Sequence, residues 1–94
     1  MIKKRTLRIN ELLRKELAKI LLEDLELPQG SFLTLVQADS SPGLQHAKIY
    51  ITIMPKERTQ EILNILSRDI FDIQQRLNKR LVMRPVPKIE FVVM

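Results

Sequence analysis

Between Ile62 and Leu81, apolar residues return every three or four positions: Ile62/Leu63, Leu66, Ile70, Ile73, Leu77 and Leu81. At 3.6 residues per turn they line one side of a helix, and that side must be buried against another layer. Pro85 and Pro87 set the end of the helical region 57–83, because proline lacks an amide proton and biases the residue before it away from helix. A chain carrying one long half-dry helix has to supply its cover from what remains.

The remaining segments supply it in two forms. Over residues 4–26, Ile9, Leu13, Leu17, Ile20 and Leu21 form a second helical stripe, with Lys4, Arg8, Lys15 and Lys19 on nearly the opposite side. Pro28 and Gly30 stop this helix. In residues 47–54 the period changes to two, with Ala47, Ile49, Ile51 and Ile53 on one face and Lys48, Tyr50, Thr52 and Met54 on the other, which predicts a strand. Residues 31–38 (SFLTLVQA) are apolar with weak alternation, the pattern of a strand covered on both faces or lying in a sheet centre. The stretch from Asp39 to His46, with Pro42-Gly43 inside it, reads as a turn or loop, and pairing of the two strands is expected across it. Residues 88–94 read as a last strand, with Ile89, Phe91 and Val93 on one face. The order is α-β-β-α-β, an α+β chain for which two helices on one face of a three-stranded sheet is the natural two-layer solution. At 94 residues, with two glycines and no internal repeat or linker, the chain is expected to be a single domain over 1–94.

Composition removes several chemistries. There is no cysteine, hence no disulfide, thiol nucleophile or cysteine-built zinc site, and His46 is the only histidine. No glycine-rich phosphate loop exists. Ser40 and Ser41, beside Pro42-Gly43, are turn residues by chemistry. Asp69 and Asp72 could face together on the second helix, yet without a cleft or metal partner they read as solvated helix charges. No catalytic, cofactor or metal site is expected. No apolar run approaches the ~20 residues that span a bilayer, and no export signal is read, so no membrane contact and a cytoplasmic location are expected.

Charge is the positive lead. Sixteen Lys and Arg stand against eleven acidic residues, a net charge of +5. Residues 1–22 carry seven basic and two acidic side chains, residues 23–67 carry three and six, and residues 68–94 carry six and three. Two basic ends flank an acidic middle, and a fold that joins the ends makes one positive face. Basic helical faces neutralise phosphates, although a charge run is also what any solvated face carries and helix-end cations offset the dipole. Phe32, Tyr50, Phe71 and Phe91 are the only aromatics and form no stacking pattern on a strand, so backbone and shape recognition is expected in place of base readout.

Three stretches together resemble a known family. RINELLRKELAKILLEDL resembles the first helix of ribosome-binding factor A. Residues 33–54, from LTLVQA across the turn to AKIYITIM, resemble that family's two central strands, and MRPVPKIEF resembles its closing signature through Arg84, Pro87, Ile89 and Phe91. The resemblance covers nearly the whole chain. It implies a KH-like (type II) fold in which the second helix is kinked or split. It also implies a non-enzymatic factor that binds 16S rRNA in the immature 30S subunit and aids processing of its 5′ end. The sequence departs from the family's pattern at the kink, where Asp69-Ile70-Phe71 replaces an Ala-x-Gly step and a break is expected at Ser67-Arg68-Asp69 if one exists. Gln74 stands where the family carries an arginine, Gly43 where it carries an aspartate, and Met94 where another aspartate is usual.

The expected phosphate contacts are Lys4, Arg8, Lys15, Lys19, Arg76, Lys79, Arg80 and Arg84, with Lys3, Arg5, Arg14, Arg68 and Lys88 as further basic residues on or beside the helices. A monomer without cofactor or small-molecule substrate is expected. Two other readings stand beside it: an interaction module that reads an acidic protein through the same basic face, and a small enzyme subunit completed by another chain.

Overall fold

The computed structural model describes residues 4–94, with Lys4 described by its backbone alone; Lys3 lies outside the described residues. Helix α1 spans Lys4–Asp24, strand β1 Phe32–Ser40, strand β2 His46–Met54, helix α2 Thr59–Arg80 and strand β3 Lys88–Val93, with one turn of 3-10 helix at Lys56–Arg58 leading into α2. The predicted order therefore holds, and both helices come shorter than the predicted regions 4–26 and 57–83. Leu25 caps α1 by donating its N–H to the Leu21 carbonyl, and Leu81 does the same to Leu77 at the end of α2. Between α1 and β1 the chain turns at Gly30, whose φ of +84° lies in the left-handed region that glycine enters without a Cβ penalty. The Ser31 N–H closes this turn onto the Pro28 carbonyl.

The sheet has the order β1-β2-β3, with β1 antiparallel and β3 parallel to the central β2. Parallel β2 and β3 need a crossover, and α2 is that crossover. The inward stripes of both helices meet the predicted inward face of β2. Leu13, Leu17, Ile20, Ile49, Ile51, Ile62, Leu66 and Leu77 are fully buried together.

Two expectations are corrected. β1 is an edge strand, not a central or doubly covered one, and its weak alternation has a local cause. Register runs from Phe32↔Met54 to Leu35↔Ile51 and resumes at Gln37↔Tyr50, so Val36 is an extra residue, a β-bulge. Leu33 and Leu35 face inward before it, and Ala38 and Ser40 after it. The bulge shifts the phase by one, which a strict period-two template cannot follow. The second correction concerns α2, which is one hydrogen-bonded helix from Thr59 to Arg80 without a split. Ser67 sits exposed inside it and caps nothing. With Ile70 and Ile73 both supplying buried or half-buried area, the apolar stripe continues through the place where a small-residue break was expected.

Two amide side chains fasten the layers. Asn10 of α1 accepts through Oδ1 from the Ser40 N–H at 2.9 Å and from its hydroxyl, satisfying the buried end of β1. Gln74 of α2 donates through Nε2 to the Pro87 carbonyl at 3.0 Å and accepts through Oε1 from the Ile89 N–H at 2.9 Å. The β1–β2 connection is shorter than the predicted loop, residues 41–45, and is held by Ser41. Its N–H donates to the His46 carbonyl, and its Oγ accepts from the Gln45 and His46 N–H groups.

Candidate nucleic-acid interface

On α1 the helical period sets Arg8, Lys15 and Lys19 on one solvated stripe opposite the buried Leu13 and Leu17, and all three are exposed. Lys4 opens the same helix, and its side chain lies outside the described residues. Leu12 and Leu22 share this stripe, and Leu22 is 87% exposed. Among the described residues, Arg5, Arg8 and Lys15 have no carboxylate within ion-pair distance. Lys19 stands 3.6 Å from Glu16, and Arg14 is taken by Glu11 one turn away. The Arg14 hydrogen bond holds the Glu11 carboxyl below its ordinary pKa.

The basic residues of α2 are placed differently. Arg76 bonds Asp72 of its own helix and Asp24 at the end of α1, each at 2.9 Å. Its guanidinium pKa is pushed up, first by the Asp72 hydrogen bond and then by the charges of Asp24 and Asp72. Arg80 reaches Glu23 at 2.9 Å and stands 3.7 Å from Glu16, both on α1. Arg84, beyond the helix, donates to the carbonyls of Leu81 and Met83, both at 2.7 Å. Lys79 is exposed and has no ion-pair partner among the described residues.

The fold thus brings the two basic ends of the chain to one seam, since Glu16 approaches both Lys19 and Arg80, and it threads carboxylates between them. Of the eight expected contact residues, Arg8, Lys15 and Lys79 present cations with no acid attached, while Lys19, Arg76 and Arg80 are shared with Glu16, Glu23, Asp24 and Asp72. Sequence reading assigned Glu23 and Asp24 to an acidic middle and missed their role. The signal was there in Asp24, which follows Ile20 by four and Leu21 by three and so continues the inward stripe of α1 toward its neighbour.

The remaining candidates resolve into structure. His46 is an exposed first residue of β2. Asp69 is bonded by Arg68, which lowers its carboxyl pKa, and Asp72 by Arg76, so neither carboxylate is left to act with the other. Among the described residues no group of three potential metal ligands comes together, and no helix is long and apolar enough to cross a membrane.

Residues 5–93 match the family model of ribosome-binding factor A. The ribosome-binding factor A of Nitrosococcus oceani is 37% identical over 89 residues, covering 94% of this chain and 70% of the relative. That of Prochlorococcus marinus strain MIT 9301 is 40% identical over 90 residues, covering 93% and 69%. The crystal structure of ribosome-binding factor A from Thermus thermophilus superposes with a TM-score of 0.76 at 26% identity, covering 94% of each chain. A homology model of the Thermus thermophilus factor, fitted into a cryo-electron microscopy map of a complex with the 30S subunit, superposes with a TM-score of 0.66 at 27% identity, covering 88% of each. The α+β, KH-like arrangement is common to these structures, and the chain belongs to the ribosome-binding factor A family.

Proposed function

We propose that this chain is a non-catalytic, cytoplasmic assembly factor of the small ribosomal subunit. It binds 16S rRNA in immature 30S particles as a monomer and aids maturation of the 5′ end. The observation that carries the reading is the stripe of Arg8 and Lys15 on the outer side of α1, exposed and, among the described residues, without a carboxylate within ion-pair distance, in a chain of this family. The fitted Thermus thermophilus relative, described as bound to the 30S subunit, supports the choice of particle. With the aromatics dispersed, contact is to phosphates and shape, and affinity falls steeply with salt.

Sedimentation of the protein with immature 30S, mature 30S and 50S particles at two salt concentrations tests this. Salt-sensitive binding confined to small subunits, stronger for immature ones, is expected. The double substitution Arg8→Ala, Lys15→Ala should weaken it and flatten the plot of log affinity against log salt by about 1.5, from two lost phosphate contacts. Unchanged affinity in that variant would move the interface off α1. Binding to no particle, with retention on an acidic protein, would favour the interaction-module reading.

A further inference from the structure

We propose that the outer edge of β3 is a peptide-binding site, taking an extended, alternately apolar segment of another protein as a fourth strand. The first observation is the state of the edge. β3 is the last strand of the sheet, and in its parallel ladder alternate residues point their N–H and C=O groups to opposite sides. Lys88 and Met94 donate to the Gln45 and Ile51 carbonyls on the β2 side. Ile89, Phe91 and Val93 therefore point theirs outward. Gln74 occupies the first outward position: its amide donates to the Pro87 carbonyl and accepts from the Ile89 N–H, the two bonds that a neighbouring strand's peptide group would make. Beyond it the Ile89 carbonyl, the Phe91 N–H and carbonyl, and the Val93 N–H have no partner strand among the described residues. A row of unpaired groups of this kind is a template for strand addition.

The second observation is what lies along the edge. Leu63, Leu66, Ser67 and Ile70 of α2, with Ile89 and Phe91 of β3, line a groove of about 300 Å³ beside it. Gln74, Ser67 and Leu63 fall on one stripe of α2, and Phe71 stands on the same stripe, 74% exposed. An edge strand flanked by a helix with apolar side chains gives main-chain bonds for affinity and a groove for alternate side chains.

Charge selects the occupant. Glu90 borders the groove through its β3 backbone, while its side chain alternates to the open face of the sheet, away from Ile89 and Phe91. Among the described residues no Lys or Arg lines the groove. A phosphate chain meets no cation here, whereas an added strand sets its alternate apolar residues toward the groove and the residues between them on the open face, where one basic residue stands beside Glu90. The site is separate from the basic stripe of α1, so it stands or falls independently of RNA binding.

Selection of random-sequence displayed peptides against the folded chain, followed by amide hydrogen exchange, tests the proposal. In the free chain the Phe91 and Val93 amides should exchange faster than those of Glu90 and Val92, which face β2, and selected peptides should slow them. Val93→Pro removes an edge donor that no internal bond uses, in a position where an edge strand tolerates proline. It should weaken the selected peptides about tenfold. Ser67→Arg, which fills the groove from the helix without touching β3, should weaken them as well, and both variants should keep the dispersed amide spectrum of the folded chain. The proposal is overturned if Phe91 and Val93 are already as protected as Glu90 and Val92, if selection yields no peptide sensitive to both substitutions, or if an RNA oligonucleotide protects these two amides and peptides do not.

Discussion

Asn10 shows how much of this fold depends on single polar contacts that periodicity does not reveal. Its side-chain oxygen receives both donors of Ser40, a residue only 6% exposed, and nothing else among the described residues is placed to receive them. Removing the acceptor leaves two buried donors unpaired, and an unsatisfied buried group costs about 1–3 kcal/mol. Asn10→Ala should lose stability in that range in urea denaturation, while Asn10→Asp, which keeps the acceptor, should lose less. The sequence offered little to find this contact. Asn10 lies on the flank of the α1 stripe, and its partner is thirty residues away on a strand whose phase is shifted by a bulge. Glu11 makes a residue-scale prediction of a different kind. The Arg14 hydrogen bond lowers its folded pKa below the ordinary 4.5, so the pair's contribution is full above that value and is lost as pH falls through the lowered one. Both side chains are exposed, so the effect is small. Stability measured from pH 5 down to pH 3 should fall more gently in Glu11→Gln than in the unsubstituted chain.

At the scale of elements, periodicity carried most of the fold. The stripe of α1, the stripe of α2 and the alternation of β2 each placed their inward residues correctly, because long amphipathic segments repeat the same signal many times. What failed was local. The β1 bulge costs the alternation its phase, and the split that the resemblance allowed in α2 does not occur, since the small residues it would use are absent here. A continuous stripe was the better guide to α2, since splitting the helix would expose Ile70 or Ile73. The same helix shows why a basic cluster in sequence is not yet a surface. Arg76 and Arg80 are spent on Asp24, Glu23 and Glu16, tying the end of α2 to α1. Their substitution by alanine should therefore register in stability as well as in binding. Solvent screens these pairs, so the loss is modest: the double variant should unfold at a slightly lower urea concentration, with the difference shrinking as salt is raised. Lys79→Ala, with no acid partner, should leave the urea midpoint in place.

Over the whole molecule, the uneven charge that divides the sequence into basic ends and an acidic middle becomes a graded surface. The ends do meet, which is the condition under which the charge distribution makes one positive face. The acids that meet with them were invisible to a segment-by-segment count, which cut α1 between Leu22 and Glu23 and so separated Glu23 and Asp24 from their own helix. These carboxylates compete with phosphate for the same guanidinium groups. If rRNA lies along the α1 stripe and reaches the seam, the seam is tuned below its greatest possible affinity. The double substitution Glu23→Gln, Asp24→Asn removes two negative charges, releases Arg76 from α1 and leaves Arg80 only the longer 3.7 Å approach to Glu16. Small-subunit binding should then tighten at low salt and its salt dependence should steepen, toward an increment of about 1.5 in slope if both arginines gain a phosphate. Stability should fall slightly as the cross-helix ties are lost. Titration at several salt concentrations separates the two effects, since a variant that is only less stable gains neither affinity nor slope. Equal affinity and slope in the two proteins would place the seam outside the RNA footprint, leaving Arg8 and Lys15 as its centre and the acids of α1 as purely structural.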